Sequence, residues 1–518
     1  MKEELSTPTE RISSIVAPAT TSRELFSGIS PDMRRSIVSG MRWTLWLSIL
    51  SVPLGYATTL ILARVGPAAI GTYGVLMVYI AVVACLMYLG GDAVAIKFIP
   101  ELPSEQQLPF VTGYALIVLA CLLPWFAIAT AWPKMLHFLF GKSDEGSLQI
   151  LLIYLSPLYV IYSITAATLN GMLEIKYAQI LKRVVTIGSF LAYAAFFFLA
   201  HGYLQNHYVS LVWEIYFTVI TVAAAAGISR IVRAHPLRSI RSFLGFHLPK
   251  RFWSYTVSLQ AVSAVAMLSN RLDYILILNF GGLLTLGKYV ALRTISNGIG
   301  LITTFFIDTF LPTMANLVAQ KEFSAASEAI HFYLRVLFAI SFAVSCGLFV
   351  ATDLLIRMFG PAYRDMGPTL VCMVFFAALQ NFTPIAGNLL TATGKQHFGL
   401  ISQTIQIGGF CFLFWFLWPT MGLMGTVIAL GLMQVLQQVL TFYFVKRVVP
   451  IRFAIRKQYI VYSVLITACA AVTYFWPNLG LTRGILLYIG LLAAFYFLSR
   501  YNVDECKRLM QCFAPYSK

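Results

Sequence analysis

The chain has 518 residues, of which 59% are hydrophobic and only 11% charged. Soluble domains carry about 25% charged residues, so this chain cannot cover itself with polar surface and its solvent must be lipid. The net charge of +17 does not point to nucleic acid, because the basic residues sit in short loops between apolar runs, where they orient a membrane protein.

Residues 1–41 are polar and mix both charge signs. They lack the short apolar stretch of a signal peptide and read as a cytoplasmic tail. From there the pattern predicts an all-α polytopic protein of fourteen spans, each near the ~20 residues that cross a hydrocarbon core. Six spans (42–63, 72–96, 110–132, 148–170, 177–200 and 207–230) make an N-terminal lobe over 42–230. The strongly basic segment 231–251 reads as the linker between halves. Six more (252–280, 286–311, 331–356, 367–391, 397–418 and 421–445) make a C-terminal lobe over 252–445. Two extra spans, 458–477 and 482–499, lie in 446–499 and look appended, and 500–518 reads as a second cytoplasmic tail.

Charge asymmetry tests the count. With the N-terminus inside, 28 of the 37 Lys and Arg residues fall on the cytoplasmic side and seven on the other. A missed or invented span would scramble that split. Both termini are therefore expected inside a cytoplasmic (inner) cell membrane.

The two halves repeat. Span two opens Gly66-Pro-Ala-Ala-Ile-Gly71-Thr-Tyr73, and span eight opens Gly282-Leu-Leu-Thr-Leu-Gly287-Lys-Tyr289, an offset of 216. The same offset carries Asp92 onto Asp308. The equivalent spans are six apart, an even number, so the halves enter the membrane in the same sense. Their pseudo-two-fold axis then runs along the membrane normal, as in parallel-repeat transporters with a cavity between halves. Pro53 with Gly55, the pair Gly90-Gly91, Pro157 and Pro384 are candidate breaks in spans one, two, four and ten.

A charge in hydrocarbon costs roughly 3 kcal/mol on insertion scales, so it should face the bundle interior with a partner. Six residues meet that description: Arg271 and Asp273 on span seven, Arg293 and Asp308 on span eight, Asp92 on span two and Glu214 on span six. Arg271 and Arg293 are candidates for binding an anion, because a guanidinium keeps its charge and grips phosphate oxygens in pairs. The structural alternative is that either arginine pairs with Asp273 or Glu214 to hold helices together. Asp92 and Asp308 are placed near helix C-termini, where the macrodipole disfavours a carboxylate, which marks them with Asp273 and Glu214 as gate or coupling candidates. Lys182 and Arg183 read as snorkelling to the inner surface. The cysteines read as small hydrophobes or tail residues without a CxxC. No Walker loop, Ser–His arrangement or metal-ligand cluster stands out, so neither a cofactor nor a catalytic centre is expected.

The stretch Leu62-Ala-Arg-Val-Gly66, Gly71-Thr-Tyr73-Gly74, Gly90-Gly91-Asp92 and Lys97-Phe98-Ile99-Pro100 resembles the polysaccharide transporter family. These are the Wzx-type O-antigen flippases of the multidrug/oligosaccharidyl-lipid/polysaccharide (MOP) superfamily. Arg271-Leu-Asp273, Gly287-Lys-Tyr289 and Ala291 agree in the second half. The resemblance covers roughly 40–445. It implies a twelve-helix core of two lobes in a V. It also implies a cationic lumen for the pyrophosphate and glycan of a polyprenyl-linked oligosaccharide, flipped by alternating access. Membrane lipids and polysaccharide assembly proteins would be its partners. Residues 43–63 contain no Asp or Glu, which departs from the cation-coupled drug exporters of the same superfamily, the first rival reading. A glycan polymerase would need a large outer loop, and the longest outer connection is only 133–147. A scaffold role would leave the intramembrane arginines without a use.

Overall fold

A computed structural model describes residues 47, 50–87, 89–131, 146–172, 174–234, 248–249, 251–319, 323–393, 395–449, 457–475 and 481–499. Both proposed tails and most of the 231–251 linker lie outside these. All regular structure among the described residues is helical.

The N-terminal half begins with α1 (Leu50–Val65). It continues through α2 (Pro67–Met87), α3 (Asp92–Glu101), α4 (Ser104–Ala120), α5 (Leu122–Ala131), α6 (Gly146–Gly171), α7 (Ile175–Leu199), α8 (His201–Asn206) and α9 (Tyr208–Ala234). The C-terminal half is α10 (Phe252–Ala319), α11 (Phe323–Val350), α12 (Thr352–Phe359), a 3-10 turn (Pro361–Met366), α13 (Gly367–Gln380), α14 (Thr383–Ala392) and α15 (His397–Val448). Two last helices follow, α16 (Lys457–Phe475) and α17 (Leu481–Ser499).

Continuous helix at α10 and α15 conceals a span boundary in each. Gly282 (φ 74°) and Gly422 (φ 53°) turn the chain there, between the expected spans 252–280 and 286–311 and between 397–418 and 421–445. Left-handed backbone strains any residue with a Cβ, so glycine is what permits the turn. Gly66 (φ 155°) joins α1 to α2, and it is the repeat equivalent of Gly282.

Of the candidate breakers, Gly90 and Gly91 (φ 79° and 64°) separate α2 from α3. Pro157 instead lies within unbroken α6. Pro384 sits in the first turn of α14, after the chain has already broken at Asn381 and Phe382. A first-turn proline loses no helical hydrogen bond.

The halves meet along a seam where α2 packs against α10. Aromatic rings seal one end of it. Phe98 of α3 lies 5.7 Å from Tyr255 and 6.1 Å from Phe252, with Phe110 and Tyr114 of α4 stacked behind. Lys97 Nζ sits 3.9 Å over the Tyr255 ring, and the Gly90 amide donates to Gln260 Oε1 at 2.9 Å. Within the N-terminal half, Tyr79 of α2 packs edge-on against Trp213 of α9 and hydrogen-bonds Ser156 of α6.

The two extra helices are not simply appended. Tyr462 of α16 is fully buried and donates to the Ala378 carbonyl of α13 at 3.0 Å. Its ring lies 5.3 Å from both Phe338 and Phe382. In hydrocarbon, helices associate through packing and interhelical hydrogen bonds of this kind.

Candidate functional site

A cavity of about 760 Å³ lies between the halves. Regular stripes of helical residues line it. On the first arm of α10 the stripe runs Ser263, Met267, Asn270, Arg271 and Tyr274; on the second it is Arg293 and Asn297. On α6 it is Tyr159, Tyr162, Ser163 and Ala166. Steps of three and four put each stripe on one face, and the turn at Gly282 brings the two arms of α10, with both arginines, to the same void. Both stand toward the outer ends of their expected spans.

Lys182 of α7 also lines the cavity. It therefore turns inward rather than to the membrane surface, where the sequence reading placed it. Three cationic side chains thus converge from two halves, and no carboxylate is part of the lining among the described residues.

Arg293 is held from behind. Its Nη1 pairs with Asp273 Oδ2 and lies 2.6 Å from the Tyr289 hydroxyl, while Tyr289 itself donates to the same Oδ2. Asp273 is 1% exposed and Arg293 14%, so the carboxylate is sealed off and the guanidinium keeps an edge toward the cavity. Among the alternatives the sequence left open, the pair is therefore Arg293 with Asp273.

Arg271 is different: among the described residues no carboxylate pairs with it. Its guanidinium carbon lies 5.2 Å from the Tyr274 ring centre, and that of Arg293 lies 5.6 Å from the same ring. One buried tyrosine thus has both cations over it. An aromatic face stabilises a cation without neutralising it, so Arg271 keeps its positive field.

The remaining candidates are not brought into this cluster. Glu214 is exposed on α9 and does not line this cavity. Asp92 is the first residue of α3. It stands at a helix N-terminus and not at a C-terminus, because the Gly90–Gly91 break ends α2 before it; there the macrodipole favours a carboxylate. Asp308 lies within α10, which runs on to Ala319. The side chains of Asp92 and Asp308 are outside the described part of the structure.

At the opposite end of the seam from Asp92, Arg64 crosses between halves. Its Nε donates to the Met358 carbonyl at 2.5 Å, the last turn of the short helix α12. Lys288 pairs with Asp365 at 2.9 Å beside it. Nothing in the residue pattern signals this contact, since a main-chain carbonyl acceptor leaves no residue signature.

No family model matches the chain. In sequence it is 21% identical over 455 residues to the uncharacterized membrane protein MJ1068 of Methanocaldococcus jannaschii, covering 83% of this chain and 87% of that one. In structure it is similar to the lipid II flippase MurJ in an inward closed conformation (TM-score 0.63, 14% identity, 88% of this chain and 99% of that one). It is also similar to an inward-facing multidrug resistance MATE family transporter of the MOP superfamily (TM-score 0.62, 12% identity, 83% and 99%). A third likeness is to a MOP superfamily transporter from Pyrococcus furiosus whose reversed binding-pocket polarity suggests a different function (TM-score 0.56, 14% identity, 80% and 95%). The chain has the fold of MOP superfamily transporters, an all-helical membrane architecture of two related halves.

Proposed function

We propose that this chain is a flippase that carries a polyprenyl-pyrophosphate-linked oligosaccharide across the cytoplasmic membrane by alternating access, in the biosynthesis of a surface polysaccharide. The observation that carries this reading is the convergence of Arg271, Arg293 and Lys182 on one cavity between the halves. A pyrophosphate brings two or more negative charges and oxygens that match guanidinium geometry. The tyrosines beside the cations, Tyr159, Tyr162 and Tyr274, offer ring faces and hydroxyls to sugars. A lipid tail can remain in the bilayer while the headgroup crosses.

Cavity charge argues against export of cationic drugs. Such cargo needs carboxylates in the lining, and here the described lining carries cations. The flippase MurJ among the structural neighbours handles a lipid-linked cargo, which is compatible with the reading.

The test is a deletion strain complemented with wild-type or Arg271→Ala chain, in which labelled lipid-linked oligosaccharide is assayed on each leaflet. Wild-type protein should restore cargo to the outer leaflet, and the variant should leave it on the inner one. Full export by the variant, at equal membrane abundance, rejects the anion-binding role. Drug sensitivity of the deletion strain with normal glycan export would favour the drug-exporter reading instead.

A further inference from the structure

Seven basic residues stand on the side of the membrane that the span pattern places opposite the termini, and four of them gather in one place. Arg64 lies in the last turn of α1, Lys288 near the start of the second arm of α10, Arg357 in α12 and Arg364 in the 3-10 turn that follows it. Contacts make these one patch. Arg64 Nε donates to the Met358 carbonyl at 2.5 Å, and its Cδ lies 4.0 Å from where a Cβ would stand on Gly360. Lys288 Nζ pairs with Asp365 Oδ2 at 2.9 Å, and Arg357 Nη2 pairs with Asp353 Oδ2 at 2.7 Å.

Four cations thus share two carboxylates. Arg64 and Arg364 are exposed and have no carboxylate partner among the described residues. Asp353 and Asp365 are 55% and 61% exposed, and ion pairs so open to water hold their partners weakly. An anion with several oxygens can therefore take over the guanidinium groups at little cost. A positive patch runs against the usual pattern on this side, where loops are depleted in Lys and Arg.

The patch stands at the level of lipid headgroups. α12 buries Thr352, Ile356 and Phe359, exposes the charged pair Asp353 and Arg357, and leaves Leu354 and Met358 exposed beside them. A helix with charged and apolar residues side by side on its open surface suits the boundary between headgroups and acyl chains. An aromatic belt lies at the same end. Leu283, next to the Gly282 turn, meets Gly71 one turn into α2, and Phe280 packs against Trp415 and Trp418 at 6.1 and 6.3 Å. Trp415 is exposed, and tryptophan gathers at the interface of a bilayer.

We propose that this patch binds the phosphate of an anionic phospholipid from the leaflet at this end, with Arg357 and Arg364 as its main ligands and Arg64 as the contact from the other half. The occupant is a lipid and not a soluble anion, because the cations adjoin Leu354 and Met358, which acyl chains cover and a soluble anion leaves bare. The site shares no residue with the cavity of Arg271 and Arg293. One of its cations comes from the N-terminal half and three from the C-terminal half. Bound lipid therefore bridges the halves and favours the arrangement in which Arg64 reaches α12. Lipid composition then sets how readily this end opens, since a ligand shifts an equilibrium toward the state it binds better.

The experiment places the full-length chain in nanodiscs of phosphatidylcholine with or without phosphatidylglycerol and follows hydrogen exchange across Thr352–Phe359 by mass spectrometry. Both leaflets carry the anionic lipid, so the result does not depend on orientation. Phosphatidylglycerol should slow wild-type exchange in this helix several-fold. Arg357→Gln combined with Arg364→Gln should lose most of that slowing, since one basic residue at an anionic surface is worth about a fivefold gain in binding. Arg357→Lys combined with Arg364→Lys should keep much of it. Equal wild-type exchange in the two lipids overturns the proposal, and so does full slowing in the glutamine variant. Inorganic phosphate added to the chain in detergent tests for a soluble anion, and the same slowing by phosphate alone overturns the assignment to a lipid. If the glutamine variant does not fold, wild type still decides. Slowing confined to α12 is expected, and equal slowing across α16, which has no part in the patch, overturns the proposal.

Discussion

Gly287 of the C-terminal half stands against Gly71 of the N-terminal half: a Cβ built on Gly287 would lie 3.1 Å from the Gly71 amide nitrogen and would be driven into the Pro67 carbonyl. The reverse holds too, since a Cβ on Gly71 would collide with the Leu283 carbonyl. These two glycines are equivalents in the internal repeat. The repeat is therefore a matched pair of contact points, where each half presents bare backbone to the other.

A methyl group at either position must push the halves apart. Overpacking of this kind costs about 1–3 kcal/mol. Gly287→Ala should lower the thermal unfolding midpoint in detergent and reduce transport. Gly300→Ala, on the same helix with open space around it, should leave both near wild type. Equal behaviour of the two variants would show that the contact at Gly287 does not matter.

The two cavity arginines should differ in what their loss costs. Removing Arg293 leaves Asp273 buried without its cation, and breaking a buried pair costs about 3–5 kcal/mol. Arg293→Ala should therefore lose both stability and export. Arg271→Ala, with no carboxylate among the described residues to strand, should lose export while unfolding near the wild-type midpoint. The double variant Arg293→Leu with Asp273→Leu should regain stability without regaining export. A double variant as unstable as Arg293→Ala would contradict the pairing. Thermal unfolding and the leaflet assay on the same preparations make the comparison.

Spans and repeat were legible in the sequence for a physical reason. Length and hydropathy dictate what crosses a bilayer, and only glycine fits where Gly71 meets Gly287 or where Gly282 turns the chain. Arg271 and Arg293 were legible because charge in hydrocarbon is expensive. What sequence left open depended on lateral neighbours. Lys182 could have snorkelled outward or turned into the cavity, and both need the same residue at the same depth. Asp273 and Glu214 were equivalent candidates as partners until the second arm of α10 brought Arg293 beside one of them. Asp92 was misread because α2 ends at Met87 and the glycine pair lets a new helix start at Asp92, which reverses the dipole it feels.

Arg64 fastens the ends of the two halves together near Gly66, through the Met358 carbonyl at 2.5 Å. Its acceptor is main chain at the end of α12, a helix with Leu354 and Met358 exposed. Arg64→Ala should free α12 to move and speed its backbone hydrogen exchange, while Arg64→Lys should show a smaller increase because one donor remains. Exchange across Thr352–Phe359, followed by mass spectrometry on the full chain, reads the effect directly. Unchanged rates in Arg64→Ala would mean that packing alone holds this end shut.

Tyr462 tests whether α16 belongs to the C-terminal half or merely sits beside it. Its hydroxyl donates to the Ala378 carbonyl at 3.0 Å, next to the break at Asn381 that ends α13. A few residues away Tyr459 accepts from Gln438 Nε2 at 3.1 Å, and Gln438 Oε1 accepts from Thr383 at 3.1 Å. This chain of bonds ties α16 to the start of α14 and to α15. Losing one such hydrogen bond costs about 0.5–1.5 kcal/mol, so Tyr462→Phe should destabilise mildly and keep export. Tyr462→Ala removes a ring packed against Phe338, Phe342 and Phe382, and aromatic-to-alanine changes in a core cost about 3–5 kcal/mol. It should lower the unfolding midpoint far more than the phenylalanine change does. A near-neutral Tyr462→Ala would place α16 outside the cooperative unit and return it to the status of an appended helix.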